Sequence, residues 1–323
     1  MEQTLFKLEP QLREKVWGGR RLAPGVAPVG EAWVAFEMSR VSGGPREGCA
    51  VADLVAELGD GLLGAAVASR YGARFPLLVK LLDCADWLSV QVHPDDEQAG
   101  RMVGRGEFGK SEAWHFLEAE DGAEIIAGVR EGTTRRELEA AIREGRVGGV
   151  ARRMKVRAGE TLYIGAGTLH ALGPGLLLYE VQQASDTTYR VYDWDRPAGA
   201  GRELHIEEAA AVTDPGKNPE PFVAQVSPGT PAPLIRCPHF DLDALRLGAG
   251  GSFAGDTEGL RFHVITATEG SVSVRSGGDA VTLGRYETAL VAGAAGAYEV
   301  RAADGGAGVL IASPPASGGR AAA

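Results

Sequence analysis

The feature that most constrains the fold is a rhythm: short apolar runs, many alternating in polarity, broken repeatedly by glycine. The chain has 323 residues and 46 of them are glycine. Such runs are too short for most helices, but they suit strands that bury one face and are joined by tight turns. Residues 88–93 show the pattern: Leu88, Val90 and Val92 share one face, while Ser89, Gln91 and His93 share the other. The preceding run, Phe75 to Asp83, is apolar except for Lys80 and its final Asp83. Further strands are expected at 111–118, 123–127, 160–164, 170–172, 176–183 and 187–192. Two segments depart from this rhythm and predict helices. In residues 50–58, Val51, Leu54, Val55 and Leu58 recur at helical spacing before Gly59. The second opens with Thr134 and Glu137 as a capping box, carries Leu138, Ala141 and Ile142 on one face, and ends at Gly145.

The expected fold class is therefore mainly β. Residues 1–212 are expected to form a first β barrel with short flanking helices, and Pro-rich residues 213–233 to form a linker. A second, smaller β domain is expected at 234–314, and a disordered tail at 315–323. A net charge of −10 argues against a nucleic-acid partner, because such a surface repels phosphate over most of its extent. No signal pattern opens the chain, and no apolar run approaches the ~20 residues that a membrane span requires. The expectation is a cytoplasmic protein with no membrane partner, monomeric or weakly homo-oligomeric. The three cysteines, Cys49, Cys84 and Cys237, lack CxxC spacing, so neither a disulfide scaffold nor a cysteine-rich zinc knuckle is expected.

Four residues can form one metal site: Gln91, His93, Glu112 and His170. Gln91 and His93 lie two apart in a strand and project from one face. Glu112 begins a second strand-like run, and His170 follows a glycine-rich turn. Neutral imidazoles and a carboxylate suit a zinc-like ion, with an amide oxygen as a weak fourth ligand and a position left open for substrate. Taken singly, each residue has a plainer explanation as a hydrogen-bonded core group or a solvated carboxylate. His115, His205, His239 and His263 are read as structural. The stretch from Gly159 to His170 alters the weighing, because it fits the second half of the cupin signature, with Gly165 where proline is usual and Gly167 as the second glycine. Its logic is a strand, a tight glycine turn, and a histidine that starts the next strand facing inward.

Several segments together resemble type I mannose-6-phosphate isomerases: KVWGGRRL, GEAW, QVHPDDEQA, GKSEAWHFLEA, YIGAGTLHALGPG and LYEVQQASDTTYRVYDWDR. The resemblance covers most of residues 6–210 and implies a cupin (jelly-roll) barrel, with 234–314 as a second, metal-free cupin-like barrel. It implies one zinc ion per chain on Gln91, His93, Glu112 and His170, and a sugar phosphate as substrate. The implied activity is interconversion of mannose 6-phosphate and fructose 6-phosphate through an enediol. The family's active-site arginine falls on Arg190, an acidic residue on Glu180 and the pocket lysine on Lys110. Ser89 and Lys80 match polar positions on the two preceding strands. Residues 34–46 and Arg196 depart from the family pattern.

Without the resemblance, Lys80 is a buried ammonium that needs a carboxylate partner, a phosphate or an escape to solvent. Arg190 is a surface ion pair or an oxyanion clamp. Glu180, inside LLLYEVQ, must face a polar site or a cation. Two other functions compete with the isomerase: a cupin dioxygenase and a non-catalytic sugar-phosphate sensor.

Overall fold

The computed structural model describes residues 3–25, 28–196 and 202–316. The chain is mainly β, with few, short helices, and it divides into two compact units that are interleaved in sequence. One unit comprises Met1–Leu12, Ala32–Lys80 and Ala224–Ala323; the other comprises Arg13–Glu31 and Leu81–Val223. This differs from a first domain at 1–212. Residues 1–12 and 32–80 belong with the C-terminal segment, because the strand Leu5–Leu8 pairs antiparallel with Thr288–Val291. The 213–233 segment is also divided. Its first part belongs to the second unit, where the Asn218 side chain accepts from the Val129 amide at 2.8 Å and Phe222–Val223 pairs with Glu160–Ile164. Most of the tail expected at 315–323 lies outside the described residues.

In the Arg13–Glu31 and Leu81–Val223 unit, two antiparallel sheets face each other. One contains Tyr189–Tyr192, Val90–Val92, His170–Leu172, Glu124–Val129 and Ala151–Lys155, in that order. The other includes Glu160–Ile164, Glu112–Ala119 and Leu176–Gln183 as neighbours. Alternation sorts the first sheet's side chains cleanly. Val90, Val92, Ile126, Ala171, Tyr189 and Val191 point outward into one apolar cluster with Leu138 and Ile142. Those two come from the helix Arg135–Arg143, and the helix Ile206–Val212 adds Ala209, Ala210 and Val212. Burying an aliphatic side chain of this kind contributes roughly 1.5–3 kcal/mol. The first helix starts as its sequence requires: Thr134 Oγ1 accepts from the Glu137 amide at 3.2 Å, and the Glu137 carboxylate accepts from the Thr134 amide at 2.8 Å.

Between the sheets lies a second cluster that includes Trp17, Leu82, Trp114, Phe116, Ile125, Leu162, Ile164, Leu172 and Leu178. The first sheet's inner face also carries Ser89, Gln91, His93, His170 and Arg190, so its two faces differ sharply in polarity. In the other unit, strands such as His263–Ser276 and Ala297–Ser313 enclose a separate core that includes Leu5, Leu245, Ile265, Val274, Val300 and Val309. Among the described residues, no helix is long and apolar enough to cross a membrane.

Candidate metal centre

Register brings the site together. Gln91 stands directly across from His170 on one side and from Arg190 on the other. Direct partners in an antiparallel pair project to the same face, so these three side chains line one inner surface with Ser89 and His93. The turn that delivers His170 is held by a hydrogen bond from the Gly167 amide to the His93 carbonyl at 2.8 Å. Gly167 has φ +85° there, and a Cβ would lie 3.1 Å from the Val212 carbonyl. Glu112 comes from the facing sheet, paired with Gln182. Its approach loop is held by Asp96, which accepts from the Gly109 amide and the Gln183 side chain, each at 2.8 Å. Backbone from Asp95 and Asp96 passes so close that a Cβ on Gly109 would lie 2.5 Å from it, so this loop requires glycine.

His93, Glu112 and His170 are almost completely buried, and one ligand atom from each lies within 4.8 Å of the others. The imidazole rings are 4.8 Å apart, centre to centre. Both tautomers are set by backbone carbonyls. His93 Nδ1 donates to the Thr187 carbonyl at 2.9 Å, and His170 Nδ1 donates to the Thr168 carbonyl at 2.8 Å. Each ring therefore presents its Nε2 lone pair to Glu112, the outer-shell arrangement that metal-binding histidines use. Burial pushes the His170 imidazole below its ordinary pKa, with Glu112 opposing that effect, and the neutral ring is the ligating form.

His170 Nε2 and Glu112 Oε1 are 3.4 Å apart, both buried, with no hydrogen-bond partner for either. Two facing acceptors repel unless a cation lies between them. Ligands held at ~2.0–2.1 Å around a tetrahedral ion are separated by ~3.4 Å, which matches this spacing and the 3.5 Å between His93 Nε2 and Glu112 Oε2. The donor set of His93, Glu112 and His170 thus fits a divalent metal, and Gln91 pairs across from His170 on the same face. Lys110, itself buried, makes a short ion pair with Glu112 and lies 3.0 Å from His93 Nε2.

Around this cluster, Trp114 donates its indole N–H to Glu180 Oε2 at 3.0 Å, and its ring meets His170 edge-on at 5.5 Å. Trp114, fully buried in the core, thus also orients a buried carboxylate. Arg190 is half-buried; its Nε donates to Ser89 Oγ at 3.1 Å and its Nη1 to the Glu203 carbonyl at 3.0 Å. His115 faces away from Glu112 and contacts Thr161 Oγ1 at 2.9 Å, with burial pushing its pKa down to about 4. Lys80 is buried in the other unit, with its ammonium 5.4 Å from the centre of the Trp33 ring. The carbonyls of Thr187, Thr168 and Glu203 were not foreseen, because any residue type can supply a carbonyl.

Comparison with known proteins places this geometry. The family model described as phosphomannose isomerase type I, catalytic domain, matches residues 5–115. The chain is 41% identical over 229 residues to the mannose-6-phosphate isomerase of Streptococcus mutans, covering 67% of this chain and 70% of that protein. It is 36% identical over 291 residues to the mannose-6-phosphate isomerase ManA of Bacillus subtilis, covering 85% of this chain and 88% of that one. The crystal structure of the mannose 6-phosphate isomerase from Bacillus subtilis superposes with a TM-score of 0.83 at 30% identity, covering 96% of this chain and 99% of that chain. A zinc-bound mannose 6-phosphate isomerase shares the fold at TM-score 0.76 and 17% identity, covering 97% and 99%. The expected mainly β cupin fold class and the expected family are borne out, and this chain belongs to the type I phosphomannose isomerase family.

Proposed function

We propose that the protein interconverts D-mannose 6-phosphate and D-fructose 6-phosphate at a single zinc ion held by Gln91, His93, Glu112 and His170. The observation that carries this reading is the facing pair of buried acceptors, His170 Nε2 and Glu112 Oε1. The family relationship supports the choice of sugar phosphate, and the zinc-bound relative supports the choice of metal.

The reaction moves a proton between C1 and C2 of the open-chain sugar and passes through a cis-enediol. A bound zinc would supply Lewis-acid stabilisation of the negative charge that develops on the substrate oxygen. Arg190 offers a planar fork of donors to the phosphate or to that oxyanion, and Ser89 steadies it through the bond at Nε. Glu180 and Lys110 are two candidates to carry the proton, alongside a water at the metal, and the Trp114 indole holds the Glu180 carboxylate in place. The phosphate contacts are assigned to Arg190, Lys110, Lys80 and Ser89; Lys80 lies on Leu77–Cys84, the strand beside Leu176–Gln183, which carries Glu180.

The test is a coupled assay of fructose 6-phosphate formation from mannose 6-phosphate, on purified protein of measured zinc content. Turnover that rises and falls with zinc occupancy is expected. A folded, zinc-loaded protein that leaves mannose 6-phosphate unchanged would sink the proposal.

A further inference from the structure

The Lys110 ammonium and a metal ion require the same lone pair. His93 Nδ1 is committed to the Thr187 carbonyl, so Nε2 is the only nitrogen His93 can offer a ligand. That nitrogen accepts from Lys110 Nζ at 3.0 Å, and the same ammonium makes its ion pair with Glu112 Oε2. An imidazole nitrogen has one lone pair in the ring plane, and it cannot serve an N–H donor and a metal together. We infer that Lys110 is a built-in competitor of the metal: its ammonium bridges His93 and Glu112, and an ion enters only by displacing it. This inference rests on the metal reading above and assigns Lys110 a positioning role toward the metal ligands.

Charge and burial both favour displacement as the route. Lys110, His93 and Glu112 are buried, so a single positive charge beside the carboxylate offsets much of the penalty of burying it. A divalent ion on the same atoms offsets more, and its charge repels the ammonium at close range. The site would thus be held in shape by lysine before loading, and the released lysine would then turn to the oxyanions of the substrate. The acceptor pair on the other side of Glu112, Oε1 and His170 Nε2, has no such placeholder. The ammonium therefore satisfies half of the cluster, and an ion is required to satisfy the rest.

The test measures zinc affinity directly, by competition with a chromogenic chelator at one pH, on metal-stripped full-length protein. Lys110→Met and Lys110→Gln should bind zinc roughly ten- to a hundredfold more tightly than wild type, because no charge-assisted bond must be broken. Lys110→Arg, which keeps the charge, should stay within a few fold of wild type. The stripped Lys110→Met protein should also melt below stripped wild type, and zinc should raise its melting temperature by more. Unchanged or weaker zinc binding by both neutral variants, with near-ultraviolet circular dichroism showing them folded, would overturn the inference while leaving the metal reading intact. Wild-type protein that takes up no zinc would overturn both.

Discussion

Arg190→Ala separates a catalytic clamp from a structural ion pair. In the folded protein the guanidinium donates to Ser89 Oγ and to the Glu203 carbonyl. Glu203 is exposed, so water replaces the lost donor there at little expense. Ser89 is buried and loses a charged donor, which costs about 1–3 kcal/mol at most, and its hydroxyl can rotate to reduce this. The change in folding stability should therefore be about 1–2 kcal/mol. If the fork faces phosphate or a developing oxyanion, removing it costs about 2–4 kcal/mol of transition-state stabilisation, or roughly 30- to 1000-fold in kcat/KM. Zinc content should stay at the wild-type level, because Arg190 contributes no ligand. Ser89→Ala should lower kcat/KM by roughly 2- to 10-fold, and the double variant should match Arg190→Ala to within about 0.5 kcal/mol, since Ser89 acts through the arginine. The assays are initial rates across substrate concentration, urea denaturation and metal analysis on the same preparations. Full turnover by Arg190→Ala, or its unfolding, would refute the clamp and leave the residue a structural one. Additive effects in the cycle would show that Ser89 has a role of its own.

His170→Ala should lose both zinc and turnover, as read by elemental analysis and the coupled assay, because it removes a buried ligand and leaves Glu112 Oε1 with nothing opposite. Trp114→Phe should keep the aromatic packing against His170 but remove the donor to Glu180, costing about 1.5–3 kcal/mol in urea denaturation; an unchanged stability would mean that this bond contributes nothing. Burial holds the His263 imidazole down to about 4 in the folded protein, against an unfolded value near the ordinary 6.5. On acidification the unfolded chain takes up this proton first, so the stability present above pH 6.5 is lost as pH falls toward about 4, by on the order of 3 kcal/mol. His263→Gln should flatten that part of the stability profile measured on metal-stripped protein, and a profile parallel to wild type would refute the assignment.

Much of the candidate metal centre was legible because its residues sit in or beside strands whose alternation is strict. Ser89, Gln91 and His93 on one face, with Val90 and Val92 on the other, is a pattern that only a sheet with one polar face satisfies. Thr134 with Glu137, and Gly59 after Leu58, likewise announced two helices. A third signal went unread: Asp95 caps the helix Asp96–Met102, with Gln98 completing the box. The strand Gln11–Gly19 escaped notice because most of its side chains are exposed or only partly buried, so no hydrophobic alternation marks it. The interleaving of the units was not readable at all. It depends on partners far apart in sequence, and neither Leu5–Leu8 nor Thr288–Val291 carries a local sign of the other. For the same reason nothing near Lys80 indicated that this lysine belongs with Trp33 and the first unit.

The pairing of Leu5–Leu8 with Thr288–Val291 has a consequence for how the protein is made. A ribosome adds roughly 5–20 residues per second, so Leu5 emerges roughly 15–60 s before Val291 exists to receive it. Throughout that interval the first strand has no partner for one edge and exposes Leu5, Phe6 and Leu8, which the finished protein buries almost completely. The Arg13–Glu31 and Leu81–Val223 unit meets no such delay, because its last strand leaves the ribosome well before Thr288–Val291 does. Synthesis thus favours assembly of the metal cluster while the other unit is still incomplete. Chaperones that bind short apolar segments should find an opportunity on this chain at Leu5–Leu8.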